Sequence, residues 1–366
     1  MQRAILTLLC LLTLTFSLLT TTRPKQEKKF QTPIPQFFEA DDPNIQYTGR
    51  VDFSNPKKPK FWAPGVYIQA RFTGGFCEMV INDEELWGNS HNYLEVVVDG
   101  GPSSRVQTTS KSNTILIAKG LAPGTHTLTI CKATEAGIGF LEFVGLRCAA
   151  LAPPIPKPVR KLEFYGDSIT CGMGSDSSRV ACKAGQWYDQ HNAYKSYGAT
   201  TARLLNAQWQ LTAVSGIGMV HSCCDMKQTM PDVWDKTNLR ENTQPWNFKN
   251  YQPDAVMICL GQNDGVQNAE AFRQTYTEFI GKLRHIYPDA HIICLSSPMA
   301  DANLQAFMKE NLALIVAQMN EKGDPKVHRF IFSRQYSKGC DSHPDVAEHQ
   351  LIAEELMPFL RTTLKW

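Results

Sequence analysis

Four prolines within Ala149–Val159 (Pro153, Pro154, Pro156 and Pro158) divide the chain into two stretches whose apolar residues recur with different periods. Proline lacks the N–H that a helix or an inner strand requires, so neither can run through this segment, which reads as a stiff linker over 149–159. Before it, short alternating segments at Val66–Phe72, Tyr93–Val98, Thr114–Ala118, Thr125–Cys131 and Phe140–Leu146 are separated by turn residues at Asp99-Gly100-Gly101, Pro123-Gly124 and Gly137–Gly139. That spacing predicts an all-β sandwich or jelly roll over 45–148. After it, apolar runs at Lys161–Tyr165, Trp209–Ser215, Ala255–Leu260, His291–Ser296 and His328–Ser333 alternate with helical stretches at Ala193–Asn206, Ala269–Ile286, Asn303–Asn320 and Asp345–Leu364. Five such runs joined by helices predict an α/β/α flavodoxin-like domain with a parallel sheet over 160–366. In such sheets ligands sit beyond the carboxyl ends of the strands, which says where chemistry is to be sought.

The 37 basic and 35 acidic residues leave a net charge of +2, so no sequence-wide field attracts nucleic acid or anionic lipid, and neither is expected as a partner. The apolar run Ala4–Leu19 follows Arg3 and is short of the roughly 20 residues that span a bilayer, so residues 1–22 read as a signal peptide. Export, to the periplasm or fully secreted, and no membrane association after signal removal are the expectations. Without Cys10, ten of the eleven cysteines remain, an even number that permits disulfides in an exported chain. Cys77 with Cys131 and Cys171 with Cys182 are the expected pairs, with Cys259 and Cys294 as buried thiols. The chain has neither a CxxC pair nor an HExxH helix, so no structural or catalytic zinc is expected.

The ends of the apolar runs carry the candidate chemistry. Ser168 follows the first run in Gly166-Asp167-Ser168-Ile169-Thr170, Ser215-Gly216-Ile217-Gly218 follows the second, and Gly261-Gln262-Asn263-Asp264 follows the third. Asp341-Ser342-His343 precedes the final helix. A serine nucleophile needs a base within hydrogen-bond reach and a group that orients that base; Ser168, His343 and Asp341 are the right types. The oxyanion formed on attack needs fixed donors, which the N–H groups of Ser168 and Gly216 and the Asn263 amide supply.

These four blocks, in this order, resemble the SGNH, or GDSL-type, hydrolases. With Thr48–Phe53, Phe61–Gln69, Asn82–Gly88, Gly137–Arg147 and Ser215–Val220, the chain resembles carbohydrate esterase family 2 over about 45–366. The resemblance implies a serine esterase that removes O-acetyl groups from plant polysaccharides such as xylan and glucomannan, acting on acetylated polysaccharide or oligosaccharide without a cofactor. It implies Ser168 as nucleophile, His343 as base, Gly216 and Asn263 as oxyanion donors, and Asp341 as the orienting acid, a role that a backbone carbonyl takes in some members. A lipid esterase or thioesterase, and a carbohydrate-binding protein with an inactive hydrolase half, are the alternatives. Turnover is expected to fall below pH 6 to 7, near the ordinary histidine pKa. Trp187, Tyr188, Trp234 and Trp246 lie in long connections where an aromatic face could meet a sugar ring, as could Trp62 and Trp87 in the β-half.

Overall fold

The alternating segments pair into nine antiparallel strands in the computed structural model, which describes residues 34–366. The signal-peptide expectation over residues 1–22 lies outside the described residues. No helix among them is long and apolar enough to cross a membrane. Along the strand Tyr67–Asp83, Ala70, Phe72, Cys77, Met79 and Ile81 point into a core shared with Leu94, Leu128, Ile130, Phe143 and Leu146, while Gln69, Arg71 and Glu78 are half-buried. Successive strand side chains face opposite ways, which is why the sequence alternates here. This strand is far longer than the expected Val66–Phe72. Across Gly74-Gly75 it changes partner, from Thr125–Lys132 to Ser112–Lys119, so one strand joins two groups around the same core. Its other edge pairs with Leu141–Ala152, which therefore takes in the first four residues of the expected linker; the chain leaves the ladder at Pro153, where N–H donors run out.

The second half holds five parallel strands: β1 (Arg160–Gly166), β2 (Ala207–Ala213), β3 (Ala255–Cys259), β4 (His291–Leu295) and β5 (Val327–Phe330). Their order is β2-β1-β3-β4-β5, the flavodoxin-like arrangement. The helices that bear on the site are α1 (Ser168–Cys171), α2 (Tyr197–Leu204), α3 (Ala269–Ile286), α4 (Ala302–Glu321) and α5 (Val346–Leu364). Val256, Ile258, Ile292 and Cys294 pack under Phe272, Phe279 and Leu283 of α3 and Met308 and Leu312 of α4. Met257, Cys259, Ile293 and Leu295 pack in a second core with Tyr197 and Ala199 of α2 and Ile352, Leu356 and Leu360 of α5. Both sheet faces are covered, so these strands read as unbroken apolar runs. Asn268, Asp301 and Asp345 cap α3, α4 and α5 by accepting from the N–H groups of Ala271, Leu304 and Glu348.

Arg50 fixes the two halves together. Its guanidinium is fully buried, donates to the Glu163 carboxylate at 3.0 Å and to the carbonyls of Trp234 and Lys236 at 2.6 Å. Glu163 in turn accepts from Gln210, Thr212 and Tyr287, so its buried carboxylate is met by several donors.

The disulfide expectations fail. Cys77 is not paired with Cys131, nor Cys171 with Cys182; the bonds are Cys182–Cys340 and the adjacent pair Cys223–Cys224. Cys131 stands opposite Tyr67, ten residues along the same strand from Cys77, on the order of 30 Å of extended chain. Cys77 instead faces Cys148 across the ladder, both as buried thiols. Cys171 is buried in α1, where its thiol donates to Glu135 at 3.4 Å, while Cys182 reaches Cys340 with Cα atoms 5.1 Å apart. Cys259 and Cys294 are free and buried.

Candidate functional site

A cavity of about 440 Å³ opens beyond the carboxyl ends of the parallel strands, lined among others by Ser168, Gly216, Asn263 and His343. Each comes from a different strand end, as the topology of such a sheet requires. Asp167 stops β1 in extended backbone and caps α1, its carboxylate accepting from the Ile169 N–H at 3.0 Å, which places Ser168 at the first helical position. Gly166 is required just before it, because a Cβ there would lie 2.0 Å from Thr170 Oγ1. The N–H of Ser168 belongs to the first turn and has no partner within the helix.

His343 Nδ1 lies 3.0 Å from the backbone carbonyl oxygen of Asp341, and His343 Nε2 lies 2.8 Å from Ser168 Oγ. A carbonyl only accepts, so Nδ1 carries the ring proton and Nε2 turns its lone pair to the serine hydroxyl. The expected part for the Asp341 side chain is therefore corrected: its main-chain carbonyl, not its carboxylate, orients the imidazole. Asp341 and Ser342 both adopt left-handed backbone, with φ of 51° and 59°, which turns that carbonyl back toward the ring and leaves the carboxylate exposed. The Cys182–Cys340 bond and the hydrogen bond from Cys340 N–H to Gly174 carbonyl, 2.8 Å, hold this turn in place. Burial lowers the His343 pKa below the ordinary histidine value, against the opposing hydrogen bond to Asp341. Burial also pushes the Asp167 carboxyl up to about 7.

Gly216 sits at φ 84°, in the left-handed region that favours glycine, and its N–H donates to no protein acceptor among the described residues. Gly218 differs, since its N–H donates to Ser222 Oγ at 3.0 Å and it does not line the cavity. The Asn263 amide nitrogen donates to the Ile217 carbonyl at 2.9 Å and lies 3.3 Å from Asp167 Oδ2. The neighbouring Asp264 carboxylate accepts from the N–H groups of Met219, Val220 and His221, tying the loop after β3 to the loop after β2. Free N–H groups, a fixed amide and a paired hydroxyl–imidazole around one cavity can support acyl transfer through a serine.

Of the candidate aromatics, Trp187 alone lines this cavity, with Met173, Met226, Met299 and both residues of the Cys223–Cys224 pair. Tyr188 is buried and accepts from the His91 N–H, Trp234 packs on Phe248 and Phe279, and Trp246 lies beside Arg50. Trp62 is buried on Phe140 and Trp87 is exposed away from the site. Glu135 is a residue that the strand-end reasoning did not reach; it lies in the β-half and touches Ser215, Cys171 and His191.

A family model described as carbohydrate esterase 2 N-terminal matches residues 47–158, and one described as GDSL-like lipase/acylhydrolase family matches residues 164–331. The cellulase/esterase CelE of Acetivibrio thermocellus is 33% identical over 347 residues, which are 92% of this chain and 41% of CelE. The chain thus spans less than half the length of that relative. An acetylxylan esterase / glucomannan deacetylase of Cellvibrio japonicus is 27% identical over 335 residues, 89% of this chain and 91% of that protein. The solved structure of a family two carbohydrate esterase from Clostridium thermocellum, in complex with cellohexaose, is 32% identical with a TM-score of 0.81 and covers 88% of this chain and 99% of that one. A family two carbohydrate esterase from Cellvibrio japonicus has a TM-score of 0.82 at 26% identity, covering 91% and 98%.

Proposed function

The chain belongs to carbohydrate esterase family 2, and from that we propose how it acts: it is a serine esterase that removes O-acetyl groups from plant cell-wall polysaccharides such as xylan and glucomannan, through an acetyl-enzyme on Ser168. The observation that carries the reading is the 2.8 Å contact of Ser168 Oγ with His343 Nε2 at a cavity lined by the unpartnered Gly216 N–H. His343 takes the Ser168 proton as the hydroxyl attacks the acetyl carbonyl, and returns it to the sugar oxygen as that group leaves. The N–H groups of Ser168 and Gly216 meet the developing oxyanion, and Asn263 exchanges its long 3.3 Å contact with Asp167 for the same oxygen. A water then attacks the acetyl-enzyme under the same base and releases acetate. Trp187, about half exposed at the rim, gives a sugar ring an apolar face to lie against. The leader read in residues 1–22 exports the protein to where such polysaccharides are met.

The test is acetate release from acetylated xylan, acetylated glucomannan, an aryl acetate and an aryl ester of a long-chain acid. Release from either polysaccharide, with the long-chain ester untouched, is the expected result. Cleavage of the long-chain ester in preference to every acetate overturns the substrate class.

The pH profile gives a second check. A base must be neutral to accept a proton, so the rate falls as pH drops through the His343 pKa; burial has lowered that pKa, so the acid limb lies below the ordinary value of about 6.5. Asp341→Asn keeps the carbonyl, so its kcat is expected within about fivefold of wild type, against about 10⁴-fold where a carboxylate orients the histidine. A loss of the larger size returns the orienting role to the Asp341 side chain.

A further inference from the structure

Glu135 belongs to the β-half, in the turn that follows Thr125–Lys132, yet its carboxylate is buried against the α/β half. Oε2 accepts from the Ser215 N–H at 2.6 Å and from the Cys171 thiol at 3.4 Å, and Oε1 lies 3.3 Å from His191 Nε2. Ser215 immediately precedes Gly216, and Cys171 closes the short helix that Ser168 opens. One carboxylate thus touches both segments that present N–H groups to the cavity. A buried carboxylate is costly, and an apolar residue of the same volume would fill this space at lower cost if packing were its only task. Burial raises the Glu135 carboxyl, but His191 and the Ser215 N–H outweigh that and leave it below the usual carboxylate range, an ionised acceptor.

We propose that Glu135 is a positioning residue for the ester hydrolysis: from the β-half, it fixes the Ser215 peptide and so aims the Gly216 N–H at the reacting carbonyl. The inference rests on the serine-esterase reading above. Peptide units are planar, so holding the Ser215 N–H leaves only the φ and ψ of Ser215 free before the Gly216 N–H. On the far side, the Cys223 N–H donates to the Gly216 carbonyl at 2.8 Å and holds the next peptide unit. The oxyanion donor is gripped from both ends, and one grip is Glu135. A misplacement of about 1 Å at such a donor costs about 10²-fold in rate, so loosening the grip lowers kcat without altering how the sugar binds.

The experiment measures kcat and KM on an aryl acetate, with melting temperatures, for wild type, Ser168→Ala, Glu135→Asp and Glu135→Gln. Glu135→Asp keeps the charge but draws the oxygens back by one methylene; it is expected to lose about 10- to 100-fold in kcat with KM within about twofold. Glu135→Gln keeps an oxygen at the Ser215 N–H and is expected to restore kcat to within about fivefold of wild type. Should Glu135→Asp not fold, Glu135→Ala takes its place with the same expected loss. Serine-dependent activity with Glu135→Asp, or Glu135→Ala in its place, at wild-type kcat, with Glu135→Gln the more impaired of the two, or with the loss confined to KM, overturns this inference alone. Full activity in Ser168→Ala overturns the serine reading and the inference together.

Discussion

Ser168→Ala is expected to lose at least about 10⁴ of the wild-type kcat for acetate release while its melting temperature changes little. The hydroxyl is the atom that forms the acyl bond in the proposed path, and no second hydroxyl or thiol stands at the same distance from His343 Nε2 among its hydrogen-bond partners. What remains after its removal is a cavity with oxyanion donors and a histidine able to activate water, which accounts for a small residual rate. Stability is little affected because Ser168 Oγ has one hydrogen bond, to a partly exposed ring, so the change neither strands a deeply buried donor nor opens a core void. A variant retaining more than about 1% of the wild-type rate, assayed with purified protein, sinks the acetyl-enzyme mechanism.

Asn263→Ala carries the second largest expected effect, a fall of about 10² to 10³ in kcat, or about 2.7 to 4 kcal/mol of transition-state stabilisation. The amide is held by the Ile217 carbonyl at 2.9 Å, so only its long 3.3 Å contact with Asp167 has to be given up for its second proton to meet the charge that develops on the substrate oxygen. Because the donor matters chiefly to the charged intermediate, KM should stay within about threefold. The variant also leaves the Ile217 carbonyl without its partner, a cost of about 1 kcal/mol that a melting curve will register separately. A kcat loss below about threefold leaves the oxyanion to the N–H groups of Ser168 and Gly216 alone.

Most strands and helices of the α/β half were legible: Ala269–Ile286 is the helix the apolar spacing predicts, and β1, β3 and β4 begin within a residue of their apolar runs, whereas α2 spans only Tyr197–Leu204 of the expected Ala193–Asn206 and β2 begins two residues before its run. Such periodicities are local consequences of helix and strand geometry, so they survive in the sequence itself. The β-half was legible in type and less so in extent. Tyr67–Asp83 runs on through Gly74-Gly75 because strands on both sides supply a ladder, something no segment announces about itself.

The same division holds for the site. The order of Ser168, Gly216, Asn263 and His343 at the ends of apolar runs is a property of the sequence, because a parallel sheet with helical crossovers carries every strand end to one edge. Which oxygen of Asp341 faces the imidazole is not. It follows from left-handed backbone at Asp341 and Ser342, held by a disulfide to a residue 158 positions away. The pairing of Cys182 with Cys340, the choice of Trp187 among the aromatics and the reach of Glu135 to Ser215 across the two halves were likewise decided in the tertiary structure. Each depends on groups distant in the chain meeting at one place, and periodicity, capping and turn chemistry act over only a few residues.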